Sequence, residues 1–190
     1  MPVVAVSDAV AHERPNLAPR AAPDGTVTIL FSDIEGSTAL NVELGDEGWM
    51  ELLGEHNRLV REAIRRNNGF EVKTEGDAFM VAFQSARDAL RGAIDMQKAL
   101  AHHNETAARP VRVRIGLHTG EPVRQGDDFY GTHVVLAARI ASQASGGEVL
   151  ASALLRELVA ASREFALTPQ PPVVLKGLPG EHVVYAVGWN

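Results

Sequence analysis

Two aspartates stand where an apolar run gives way to a turn. Asp33 closes the run Val27-Thr28-Ile29-Leu30-Phe31-Ser32 and leads straight into Ile34-Glu35-Gly36-Ser37-Thr38. Asp77 sits in Thr74-Glu75-Gly76-Asp77, between Phe70–Lys73 and the apolar run Ala78–Phe83. A carboxylate at the end of a core strand, beside a small-residue turn whose backbone N–H groups can point at an anion, suits a divalent cation carrying phosphate oxygens. If the strand ending in Asp33 lies beside the hairpin tipped by Asp77, both carboxylates meet at one sheet edge and can hold one or two cations. A metal pair there can clamp the attacking and leaving oxygens of a phosphoryl displacement. Each acid taken singly has a plainer reading: an N-cap turn with a surface acid for Asp33, and an ordinary hairpin turn for Gly76-Asp77.

The elements that must position these acids follow from periodicity. Val27–Phe31 is a run of mostly branched apolar residues and reads as a buried strand, over roughly 26 to 33. Gly45-Asp46-Glu47 marks a helix start, with acids at the positive end of the dipole. Trp49, Leu52, Leu53, His56, Val60, Ala63 and Ile64 follow at helical spacing, and Asn67-Asn68-Gly69 ends the helix. His56, on that stripe, reads as a core-edge histidine rather than a ligand. Phe70–Lys73 and Ala78–Phe83 form a hairpin. Ser85-Ala86-Arg87-Asp88 is a capping box opening a helix with Ala89, Leu90, Ala93, Ile94, Gln97, Leu100 and Ala101 on one face. Val111–His118 alternates as a strand, Gly120 turns it, and Glu121–Arg124 reads as its antiparallel partner. Asp127–Gly131 reads as a loop and Thr132–Ala144 as a helix. Glu148–Ala151 is a short strand, and Ser152 caps a short helix. The tail holds Val173–Gly177 and Val183–Val187, two strands joined by a Gly/Pro turn. The order points to an α+β, ferredoxin-like fold, an antiparallel sheet with helices on one face.

Composition narrows the chemistry. The 190 residues hold one well-cored domain over 25–190, behind an Ala/Pro-rich leader over 1–24 that reads as mobile. There is no cysteine, which excludes disulfides, thiol catalysis and cysteine–zinc sites. A net charge of −6 argues against general nucleic-acid binding, so a polyphosphate must be neutralised locally. No apolar run reaches the ~20 residues of a membrane span, and the N-terminus lacks the basic region of a signal peptide. The expectation is a cytoplasmic protein. His12, His102, His103 and His118 form no pattern of metal ligands and read as surface or core residues.

Four motifs, in order, then resemble one family. They are Phe31-Ser32-Asp33-Ile34-Glu35-Gly36-Ser37-Thr38, Lys73-Thr74-Glu75-Gly76-Asp77, Asp128-Phe129-Tyr130-Gly131 and Ala137-Ala138-Arg139-Ile140. Together they resemble the class III nucleotidyl cyclase catalytic domain in its bacterial form, from about Thr26 to the end. The resemblance implies an adenylate cyclase that turns ATP into 3′,5′-cyclic AMP and pyrophosphate. It implies two Mg²⁺ or Mn²⁺ ions on Asp33 and Asp77 with help from the Ile34 carbonyl, and phosphate oxygens held by the amides of Gly36, Ser37 and Thr38. It assigns base reading to Lys73, a donor to adenine N1, and Asp128, an acceptor from the N6 amine, a pattern that opposes guanine. Arg139 would steady charge on the transferring phosphate, and Lys176 would bind the triphosphate. In this family the acids come from one subunit and the base-reading pair and arginine from the other, which implies a head-to-tail homodimer.

One position departs from that family. Its asparagine, four residues before the arginine, is replaced here by Val135. Valine offers no hydrogen bond to the ribose, and loss of one such contact costs ~10²–10³ in rate. His133 or Thr132 would stand in only with the helix rotated or through water. The expectation is a slow cyclase. The alternative is a catalytically impaired cyclase-fold module that binds nucleotide and regulates. A second rival, the Asp-x-Asp-Gly-Thr loop of haloacid-dehalogenase-type phosphatases, needs a second aspartate where Glu35 stands and a parallel sheet.

Overall fold

The computed structural model describes residues 21–22, 25–121, 124–125, 128–129 and 131–190, with the backbone alone at 124–125 and 128–129. Apart from Ala21 and Ala22, the leader expected over 1–24 lies outside the described residues. In chain order the elements are β1 (Val27–Ile34), α1 (Ser37–Arg66), β2 (Phe70–Glu75), β3 (Ala78–Phe83), α2 (Ala86–Asn104), β4 (Val113–Gly120), β5 (Arg124–Gln125), β6 (Asp128–Phe129), α3 (Thr132–Gln143), β7 (Val149–Ser152), α4 (Ala153–Val159), β8 (Leu167–Pro169), β9 (Val173–Val174), β10 (Glu181–His182) and β11 (Val184–Val187).

Seven strands form one sheet in the order β2-β3-β1-β4-β7-β11-β8. The neighbours are antiparallel except β4 and β7, which run parallel. β1 lies between β3 and β4 and is buried along its whole length. Strand alternation therefore gives it two apolar faces. On one face Leu30 and Ile34 join Phe79, Val81, Phe83, Val113, Ile115 and Leu117 beneath α1, α2 and α4. On the other, Val27, Ile29 and Phe31 join Ala78, Met80 and Ala82 beneath α3 alone, through Val134, Ala137, Ala138 and Ala141. Helices thus cover both faces, not one. The approach of α3 depends on Gly116 of β4, where a Cβ would lie 2.1 Å from the Ala141 backbone nitrogen.

The elements fall largely where periodicity puts them, with four differences. The helix expected from Gly45 is the second part of α1; a first part runs from Ser37, and Gly45 joins the two with φ 69° and ψ 175°. β4 has β1 and β7 as its neighbours, whereas an antiparallel partner is expected at Glu121–Arg124, of which 122 and 123 lie outside the described residues; Arg124 belongs to β5, which pairs with β6 inside the expected Asp127–Gly131 loop. The tail splits: β9 pairs with β10 in a separate ribbon, whereas β11 enters the main sheet between β7 and β8. β8, too short and polar to announce itself, forms the sheet's other edge. The mainly antiparallel sheet also removes the haloacid-dehalogenase reading. Among the described residues no helix is long and apolar enough to cross a membrane.

Candidate active site

The acids meet because one strand outruns its neighbour. β3 pairs with β1 only as far as Phe79 opposite Ser32, so Ile34 has no strand partner on that side. The Asp77 carboxylate takes that place, accepting from the Ile34 N–H at 2.7 Å. The tight turn before β3 rests on Gly76, whose φ of 61° is left-handed. Asp33 is fully buried and Asp77 nearly so. Burial pushes the Asp77 carboxyl up; the Ile34 N–H opposes this, the negative charge of Asp33 adds to it, and the Ser37 hydroxyl opposes it again.

The phosphate-binding expectation has a structural basis in α1. Gly36 adopts φ 68° and ψ 23°, and the helix begins at Ser37 with no side-chain cap and no acid in its first turn. The N–H groups of that turn and the positive end of the helix dipole are therefore available to an anion. A Cβ at Gly36 would meet nothing within 4 Å. Glu35 does not join the acids: its carboxylate accepts from the Gly146 N–H at 2.8 Å, on the loop after α3.

Arg114 is the residue that sequence reasoning missed. The β1–β4 register sets it opposite Asp33. Its Nε donates to Asp33 Oδ1 at 2.9 Å and its terminal nitrogen to Oδ2 at 2.5 Å, a two-pronged pair. The Asp33 hydrogen bond holds the guanidinium even further into its charged range. A sequence signal existed: Arg114, Gly116 and His118 share one side of an otherwise apolar strand.

Hard oxygen donors on adjacent buried carboxylates fit Mg²⁺ or Mn²⁺ chemistry. Among the described residues no three His, Asp or Glu side chains are grouped to share an ion. An ion here would rest on Asp33 and Asp77 and draw further oxygens from the backbone and the substrate.

The other expected residues lie apart from the acids. Lys73, on edge strand β2, is opposite Met80, which is opposite Phe31, so it stands two strands from β1. Asp128 belongs to β6, and its side chain lies outside the described residues. Arg139 on α3 donates through Nε to the Lys176 carbonyl at 3.1 Å. Its neighbour Ile140 packs with Leu150, Leu175 and Val184, on the β7–β11 side. Two strand spacings, roughly 10 Å, separate β7 from β1. The Lys176 side chain is exposed.

His133 is engaged within the chain. Its Nδ1 lies 2.8 Å from His118 Nε2, and His118 Nδ1 lies 2.9 Å from Ser152 Oγ. The Glu121 backbone favours the charged form of His133, against the effect of burial. Burial holds both rings neutral, pushing His118 down to about 3 and His133 below its usual range. His56 is buried against Phe79, as its place on the α1 stripe implies, and burial pushes it down to about 4.

Known proteins share this fold. The family described as the adenylate and guanylate cyclase catalytic domain matches residues 20–188. An adenylate cyclase of Podospora anserina is 38% identical over 156 residues, 69% of this chain but 7% of that protein. A receptor-type adenylate cyclase of Trypanosoma congolense is 35% identical over 198 residues, 80% of this chain and 26% of its own length. The chain thus spans a small part of these curated relatives. Among solved structures, an adenylate cyclase of Trypanosoma brucei in its monomeric state superposes with a TM-score of 0.75 at 28% identity, covering 90% of this chain and 93% of that one. The guanylyl cyclase Cya2 superposes with 0.73 at 26% identity, covering 85% and 91%. The family match over nearly the whole chain, together with these superpositions, gives the assignment: this chain is a member of the class III adenylate and guanylate cyclase catalytic-domain family.

Proposed function

We propose that the chain is an adenylate cyclase, forming 3′,5′-cyclic AMP and pyrophosphate from ATP at two sites shared across a head-to-tail homodimer. The observation that carries this reading is the meeting of Asp33 and Asp77 beside the uncapped start of α1. Mg²⁺ or Mn²⁺ ions on Asp33, Asp77 and the Ile34 carbonyl would supply charge neutralisation and acidify the 3′-hydroxyl. The amides of Gly36, Ser37 and Thr38 would hold phosphate oxygens. The 3′-oxygen bonds to the α-phosphorus, the hydroxyl proton passes to water, and the bond to the bridging oxygen of the departing pyrophosphate breaks.

The separation of the parts within one chain supports sharing between copies. Arg139 and Lys176 lie on the β7–β11 side and Lys73 on the β2 edge, while the acids lie between them on β1 and β3. A second, inverted copy would bring its own Lys73, Asp128, Arg139 and Lys176 to the first copy's acids. Lys73 and Asp128 favour adenine over guanine by donor and acceptor pattern. The similarity to both adenylate and guanylyl cyclases leaves that preference resting on these two residues.

The test is cyclic nucleotide formation with saturating Mn²⁺, ATP against GTP. Cyclic AMP above an Asp33→Ala control is the expected result; cyclic GMP alone would overturn the choice of base. Asp33→Ala and Lys73→Ala, each inactive alone, should regain part of the activity when mixed. No rescue in demonstrated mixed dimers would overturn shared sites.

A second reading, a nucleotide-binding regulatory module with impaired chemistry, is favoured by one observation. Val135 offers no polar group, and His133 is committed to His118. ATP binding with no turnover by the native chain would select it.

A further inference from the structure

We propose that Arg114 is an internal cation standing in for a metal ion on Asp33, so that metal loading of this chain is an exchange in which the guanidinium leaves the carboxylate. The inference rests on reading Asp33 and Asp77 as metal carboxylates.

Asp33 exposes no surface, and Arg114 holds both of its oxygens, at 2.9 and 2.5 Å. A divalent ion on the same oxygens would lie within about 4–5 Å of the guanidinium, where two like charges in a poorly solvated site repel strongly. The two cations compete for one place. A positive charge is nevertheless needed there in the metal-free fold: without it Asp33 and Asp77 would face each other as buried carboxylates. Arg114 meets that need because the β1–β4 ladder fixes it opposite Asp33. The negative charges of Glu35 and Asp77 also favour its charged form.

Only one member of the pair can move. Asp33 has a short side chain on a strand bonded on both sides. Arg114 has a long one with 23% of its side chain exposed, so its fork can swing outward without crossing the core. Exchange therefore means a rotamer change of Arg114 and no opening of the sheet.

The test measures Mn²⁺ binding to the nucleotide-free full chain, by loss of the free-ion paramagnetic resonance signal and by the Mn²⁺-induced rise in melting temperature. Arg114→Gln removes the competing charge and should tighten Mn²⁺ binding about tenfold or more and enlarge the melting shift. Arg114→Lys, a point charge that cannot fork, should fall between the two. Binding by Arg114→Gln that is unchanged or weaker overturns the proposal. Should Arg114→Gln fail to fold without metal, Arg114→Lys decides: tighter binding than native supports the exchange, and binding no tighter overturns it. Asp33→Asn separates the two levels. If it binds Mn²⁺ as well as the native chain does, the metal reading of Asp33 itself fails, whatever Arg114 does.

Discussion

The two faces of the sheet are built to different rules. The face under α1, α2 and α4 is continuous and almost wholly apolar, from Leu30 through Phe79 and Phe83 to Leu117. The face under α3 is thin, covered by one helix of 12 residues, and polar groups interrupt it at Asp33, Arg114 and His118. Since strand alternation sends neighbouring residues of β1 to opposite faces, Leu30 and Ile34 anchor the very strand whose Asp33 emerges on the thin side. Stability is concentrated on one face, which leaves the other free to bury charge. Buried charge is costly unless paired, and here it is paired within the chain.

Substitutions can break or sharpen this contrast. Phe79→Ala on the thick face should cost ~3–5 kcal/mol in chemical denaturation, with activity per folded molecule little changed. Asp33→Asn on the thin face should do the reverse, lowering cyclic nucleotide formation ~10³-fold or more, while the melting temperature moves far less than for Phe79→Ala. An equal loss of stability in both would remove the division of labour. Val135→Asn, which adds a polar group to α3, should raise turnover by roughly 10² if the missing hydrogen bond limits the chemistry. No gain in a chain that still binds ATP would favour the regulatory reading.

The buried histidines sharpen the contrast further. His56 on the thick face leaves Nε2 without a partner among the described residues, whereas His118 on the thin face is bonded at both nitrogens. His56→Leu should therefore be neutral or stabilising at neutral pH, and His118→Leu should cost about 1–3 kcal/mol by stranding Ser152 and His133. Both rings have folded pKa values depressed below the unfolded 6.5, to about 4 and about 3. The unfolded chain then binds more protons below pH 6.5, so stability is full above that value and falls as pH drops toward the folded pKa. Between pH 7.5 and 5 each ring should withdraw on the order of 2 kcal/mol. A denaturation series over that range in the two Leu variants assigns each share: the variant lacking a ring should lose its part of the slope.

Much of this was written locally. Asp33 and Asp77 were legible because each is an acid at the boundary of an apolar run, beside a small-residue turn. Ser85, Ser152 and Asn67 were legible because helix ends need partners for their free backbone groups. What escaped depends on pairing across long stretches of sequence. Arg114 looked like the outward residue of an alternating strand, and only the β1–β4 register turns it toward Asp33, 81 residues away. The parallel β4–β7 contact and the pairing of Arg124 with Phe129 have the same cause: periodicity identifies a strand but not its neighbours. Ser37–Leu44 escaped for a different reason, since Gly45 hides a helix that continues across it in a new direction. The His118–His133 contact escaped as well, because helical spacing says nothing about a second histidine waiting on β4.

β1 pairs with β4 along its whole length and with β3 from Thr28 to Ser32, and it is buried at every residue. Local fluctuations that open amides to solvent should therefore skip it, and its protons should exchange with heavy water only when the whole sheet opens. The slowest-exchanging amides of the molecule would then lie within one or two residues of its candidate reacting centre. Any adaptation to substrate would then come from long side chains, not from the strand that presents the acid.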